Sequence, residues 1–153
     1  MQAQSQSYEN MVAQWSKGVP AHLLGQDGIK AQFAAAFALI EFLRGRGGAY
    51  GFFPCRIGGI EDRIGVDGYL VDEKGDKAYA VDFSLESDNN PRGNKRNCRW
   101  LVHLNRDWFD VLPNGLWKLR RECMNSLARS FAPALAAGAI AWKPLEVTIR
   151  QGR

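Results

Sequence analysis

The chain has 153 residues, 46% hydrophobic and 24% charged, with a formal net charge of +4. Those figures fit one globular domain large enough to bury a core, and argue against a disordered or fibrous chain. No apolar run approaches the ~18 residues needed to cross a bilayer, so a membrane partner is not expected.

Residues 1–7 are rich in Gln and Ser and are expected to fray, and Tyr8 to Trp15 forms a short amphipathic piece. Residues 1–20 therefore read as a flexible or loosely docked segment, and residues 21–153 as a single α/β domain. The first residues lack the basic and apolar blocks of a secretory signal, which suggests a cytoplasmic protein. From about Gly28 to Arg44, Phe33, Ala36, Phe37, Ile40 and Leu43 recur at helical spacing, with alanines between them. Gly45-Arg-Gly-Gly48 stops that helix. Residues 49–57, with Tyr50, Phe52 and Phe53, read as a first strand, and Gly58-Gly59 starts a turn.

Gly65-Val-Asp-Gly-Tyr-Leu-Val-Asp72 and Lys77-Ala-Tyr-Ala-Val-Asp-Phe-Ser-Leu-Glu86 alternate apolar and non-apolar residues on either side of a Glu73-Lys-Gly-Asp76 turn. With Lys74-Gly75 as the loop, partner numbers sum to 149 and Asp67 falls opposite Asp82. Opposed side chains have Cβ atoms about 4.5–5.5 Å apart, and two carboxylates that close repel unless a proton or cation lies between them. In the second strand Tyr79, Val81, Phe83 and Leu85 share one face; Ala78, Ala80, Asp82, Ser84 and Glu86 share the other. This points to a metal site, the alternative being two solvated residues on an exposed sheet face.

After Glu86 a loop rich in Asn, Asp, Gly and Pro is followed by a segment, Lys95 to Asn105, expected to be a short basic helix. Trp108 to Leu112 reads as a strand closed by Pro113. Asn114 is placed to cap a long helix lined by Leu116, Leu119, Cys123, Leu127 and Phe131, with Pro133 ending or kinking it. Leu145 to Ile149 is expected to be a last strand. The fold class is thus α/β: a mixed central sheet containing an antiparallel three-strand meander, flanked by helices.

Cys55, Cys98 and Cys123 are isolated and odd in number, which argues against a disulfide framework and for a reducing compartment. Neither His22 nor His103 completes a zinc-ligand spacing with them. Arg92, Lys95, Arg96 and Arg99 precede Trp100, and Lys118, Arg120 and Arg121 follow Trp117. Cations interleaved with aromatics suit a nucleic-acid backbone with occasional base stacking; solvated surface is the bland alternative.

The element order, with Asp67 on the second strand and Asp82 on the third, resembles the PD-(D/E)xK nuclease superfamily over about residues 28–112. The resemblance implies a restriction-endonuclease-like fold and a metal-dependent phosphodiesterase acting on nucleic acid, most simply DNA. It also implies Mg²⁺ or Mn²⁺ held by Asp67, Asp82 and the Phe83 carbonyl, with Glu41 matching an additional helix glutamate found in some members. Homodimers are common in that fold. The motif's lysine position holds Ser84, so a cation must come from elsewhere, with Lys95 preferred to Lys77. Two other readings stay open. One is a decayed nuclease that only binds nucleic acid. The other is a non-enzymatic interaction module, such as a phage or mobile-element inhibitor that blocks a host complex through exposed tryptophans.

Overall fold

The computed structural model describes residues 2–57, 66–74, 76–86 and 101–141. Helices α1 (Gln2–Trp15) and α2 (Asp27–Arg44) precede strands β1 (Tyr50–Pro54), β2 (Gly68–Asp72), β3 (Lys77–Glu86) and β4 (Leu101–Asn105). Strands β5 (Phe109–Val111) and β6 (Trp117–Leu119), helix α3 (Met124–Ala137) and strand β7 (Ile140–Ala141) follow. β1, β2 and β3 form an antiparallel meander, β4 joins parallel to β3, and β7 pairs antiparallel with the start of β3. The result is a mixed α/β domain with helices packed on its sheet.

The β2–β3 register follows the expected sum, from Asp72↔Lys77 to Gly68↔Val81. Its tight turn is held by the Asp72 carboxylate, which accepts the Lys74 N–H at 3.2 Å, and by Asp76 at φ 55°. Side-chain alternation divides the sheet into two faces. Phe52, Leu70, Val81, Phe83, Val102 and Leu104 meet the helices in the main core. Cys55, Val66, Tyr69, Val71, Ala78 and Ala80 form a second cluster on the other face. The central strands are therefore buried on both sides, where a half-buried sheet would expose one row.

Helix α2 lies close to the sheet because Ala31, Ala34, Ala35 and Ala36 are 0–2% exposed and carry nothing larger than a methyl group into the contact. It ends at Arg44, and the chain turns away at Gly47, whose φ of 91° suits a residue without Cβ. The N-terminal segment docks through its aromatics. The Tyr8 hydroxyl donates to the Trp117 carbonyl at 2.6 Å, and the Trp15 ring sits 5.4 Å from Phe33 and 5.3 Å from Phe52.

Two element expectations are corrected. Leu101–Asn105 is a strand, not the end of a helix: Val102 and Leu104 enter the core while His103 and Asn105 stay exposed, a period of two. Asn114 caps no helix. Its side chain accepts the Leu116 N–H at 3.0 Å and donates to Glu9 at 2.8 Å, within the β5–β6 turn, where Gly115 adopts φ 88°. Trp117 and Leu119 point inward from β6, so the helix begins only at Met124. Leu127 and Phe131 do line its buried face, and Pro133 lies within it. The last expected strand, 145–149, lies outside the described residues. Among the described residues no helix is long and apolar enough to cross a membrane.

Candidate functional site

The ladder between β2 and β3 ends at Gly68↔Val81, and Asp67 does not continue it into a pair with Asp82. The Asp67 N–H donates to the Val81 carbonyl at 2.7 Å, and its own carbonyl accepts from Cys55 at 2.8 Å. Two successive residues thus face Val81, a local bulge that re-aims the Asp67 side chain. Continued pairing would set Phe83 against Val66; instead the Asp67 carboxylate accepts the Phe83 N–H at 2.8 Å. That N–H belongs to the peptide linking Asp82 to Phe83. The Asp67 carboxylate is therefore held against the Asp82–Phe83 backbone by one direct hydrogen bond.

Asp82 is 1% exposed and Ser84 6%, both on the face opposite the helices. The solvated alternative is thereby excluded for Asp82. A buried ionised carboxylate requires donors or a cation to offset lost hydration. Carboxylate and backbone oxygens are the donors that a hard divalent ion takes. Among the described residues no group of three or more His, Cys, Asp or Glu side chains is gathered to hold a metal.

Other expected site residues are distributed around the fold. Glu41 is half-buried near the end of α2, on the helix side of the sheet, whereas Asp82 faces the other side. Phe83 directs its ring into the helix-side core, 6.0 Å from Phe52, which leaves only its backbone for the site. Lys118 and Arg121 are exposed on β6 and the following turn. Because β6 packs against α2, these two cations stand apart from the Asp82 face. Arg120 beside them is engaged by Asp110 at 2.9 Å, a hydrogen bond that raises its pKa further. Trp117 is 7% exposed and stacked near Phe109, so it offers no ring to a base. Arg92, Lys95, Arg96, Arg99 and Trp100 lie outside the described residues.

Parallel pairing of β3 with β4 sets Ser84 against His103 and Asp82 against Leu101. His103 enters the sequence pattern only as a zinc-ligand candidate, because its segment is expected to be helical; the alternation of Leu101-Val-His-Leu-Asn105 is the signal for a strand position. Burial pushes the Cys123 thiol pKa up, which disfavours its thiolate. Comparison with protein-family models, curated proteins and solved structures returned no match.

Proposed function

We propose that the chain is a metal-dependent nucleic-acid phosphodiesterase of restriction-endonuclease-like fold, with its site at the Asp67–Asp82 end of the β2–β3 pair. The observation that carries this reading is the Asp67 carboxylate bonded to the amide that follows a fully buried Asp82. The order of a helix, an antiparallel meander and a further strand supports it; the helix that the resembled core carries between its third and fourth strands would fall within 87–100, outside the described residues.

Asp67 and Asp82 supply the anionic oxygens of the site, and the Phe83 carbonyl is a third oxygen in reach of the same backbone. The N–H of Phe83 holds Asp67 in one orientation, which removes rotamer freedom before any ligand arrives. A Mg²⁺ or Mn²⁺ ion bound there supplies charge neutralisation at the scissile phosphate and a more acidic water. The basic segment from Arg92 to Trp100, which directly precedes β4, is the contact assigned to the nucleic-acid backbone, Lys95 included.

Labelled duplex, branched and single-stranded DNA and RNA, incubated with Mg²⁺, Mn²⁺ or EDTA, test the proposal. Wild type is expected to give metal-dependent products that Asp82→Asn does not. Metal at ~100 times its Kd should also stabilise wild type by about 2.7 kcal/mol, and Asp82→Asn should lose that shift. Substrate binding without cleavage or thermal shift would instead mark a fold retained for binding, a reading that Ser84 at the lysine position favours.

A further inference from the structure

Asp82, Ser84 and His103 lie together on one face of two neighbouring strands. Ser84 and His103 are direct partners in the β3–β4 register, and adjacent strands are about 4.8 Å apart. Val102 and Leu104, 0% and 1% exposed, point into the helix-side core, so His103 between them points to the side of Asp82 and Ser84. The face thus runs from a buried carboxylate, past a short hydroxyl, to an exposed imidazole on the next strand. Asn105, the next residue of that row, has its side-chain oxygen accepting the Asp107 N–H at 2.8 Å, where it caps the following turn.

When water attacks a phosphodiester, an O–P bond forms as the leaving O–P bond breaks, the water gives a proton to solvent and the leaving oxygen takes one from it, and negative charge grows on the two non-bridging oxygens in between. A metal ion held by the carboxylates would offset part of that charge, and an N–H donor beside them offsets more. Lys77 does not meet the need, since it sits at the far end of β3 on the opposite parity. Lys118 and Arg121 belong to the other side of the sheet. Imidazole carries at least one N–H in either protonation state, so the role requires no titration.

We propose that His103 is a catalytic residue that donates a ring N–H to a non-bridging oxygen of the scissile phosphate. It reaches out from the exposed neighbouring strand, whereas the short Ser84 hydroxyl beside it is buried. This inference rests on the phosphodiesterase reading of the same site.

The test compares wild type, Asp82→Asn, His103→Ala and His103→Lys on the oligonucleotides cleaved by wild type. Thermal shift with Mg²⁺ or Mn²⁺ is recorded for each. Because His103 is exposed, its variants are expected to fold. His103→Ala should lower kcat by about 10²-fold, the usual loss of one transition-state donor, while keeping the metal-induced shift. His103→Lys should recover much of that loss. If Asp82→Asn is inactive and His103→Ala stays within about threefold of wild type, the His103 role is overturned and the phosphodiesterase reading stands. If His103→Ala also loses the thermal shift, His103 acts as a ligand and the donor role is overturned. If wild type cleaves nothing, the phosphodiesterase reading fails, and the His103 role with it.

Discussion

Tyr8 shows how a single side chain ties the N-terminal helix to the rest of the molecule. Its ring lies 4.5 Å from Phe37 and its hydroxyl reaches the Trp117 carbonyl, while burial raises its pKa above the ordinary phenol value of 10.0. The neutral phenol is therefore favoured in the folded state. Its stabilisation is fully present below the unfolded pKa near 10.0 and is lost as pH rises toward the folded pKa. Tyr8→Phe is expected to flatten stability against pH in that alkaline range, and to cost about 1 kcal/mol at neutral pH through the lost hydrogen bond. Urea unfolding midpoints of both proteins from pH 8 to 11, on the order of the range set by the phenol pKa, check this; parallel curves would refute it. At the site, the residue-level reading went furthest for Asp82: strand parity alone separated it from Val81 and Phe83, and the structure keeps that separation.

Elements were legible where periodicity was long and unambiguous. The helical stripe of α2 and the ten-residue alternation of β3 each repeat enough turns or pleats to outweigh chance. Short segments were not. Leu101–Asn105 and Trp117–Leu119 each place apolar residues where either period accommodates them, and only pairing with β3 or β5 selects extended backbone. Gly68 illustrates a constraint at this scale that no pattern reveals. A Cβ there would stand 2.5 Å from the Phe52 ring and 3.0 Å from the Phe53 carbonyl, across the β1–β2 ladder. Gly68→Ala is expected to destabilise by about 1–3 kcal/mol, the range for overpacking a filled site. It should also disturb the neighbouring backbone that aims Asp67. A chemical denaturation midpoint equal to that of wild type would refute the steric argument.

At the scale of the whole molecule, α1, α2, the sheet, the β5–β6 hairpin and α3 share one main core. Trp15 is 6% exposed and wedged between Phe33 of α2 and Phe52 of β1. Trp15→Ala is expected to cost about 3–5 kcal/mol, as large-to-small changes in filled cores do. A cost under ~0.5 kcal/mol, typical of surface substitutions, would mean that the segment contributes little to the fold; denaturant titration followed by circular dichroism decides. The burial of Trp15 and Trp117, and the core contact of Trp108, also remove these rings from the aromatics available to a docking partner.

The chemistry of the candidate site was written locally. A tight turn counted in residues sets the register of the hairpin it closes, and parity then assigns each β3 side chain to a face. Those rules need only neighbours in the chain, so Asp82, the apolar row of Val81 and Phe83, and the β2–β3 register followed from the order of residues. What lies opposite those residues depended on contacts between segments distant in sequence. The placement of Asp67 comes from simultaneous bonding to Cys55, just past β1, and to Val81 of β3, and the approach of His103 to Ser84 comes from a parallel partner 19 positions away. Parallel pairing leaves no turn signature, because the chain between the strands can take many lengths and forms. Tertiary structure therefore decided the surroundings of Asp82, and with them which residues stand beside it.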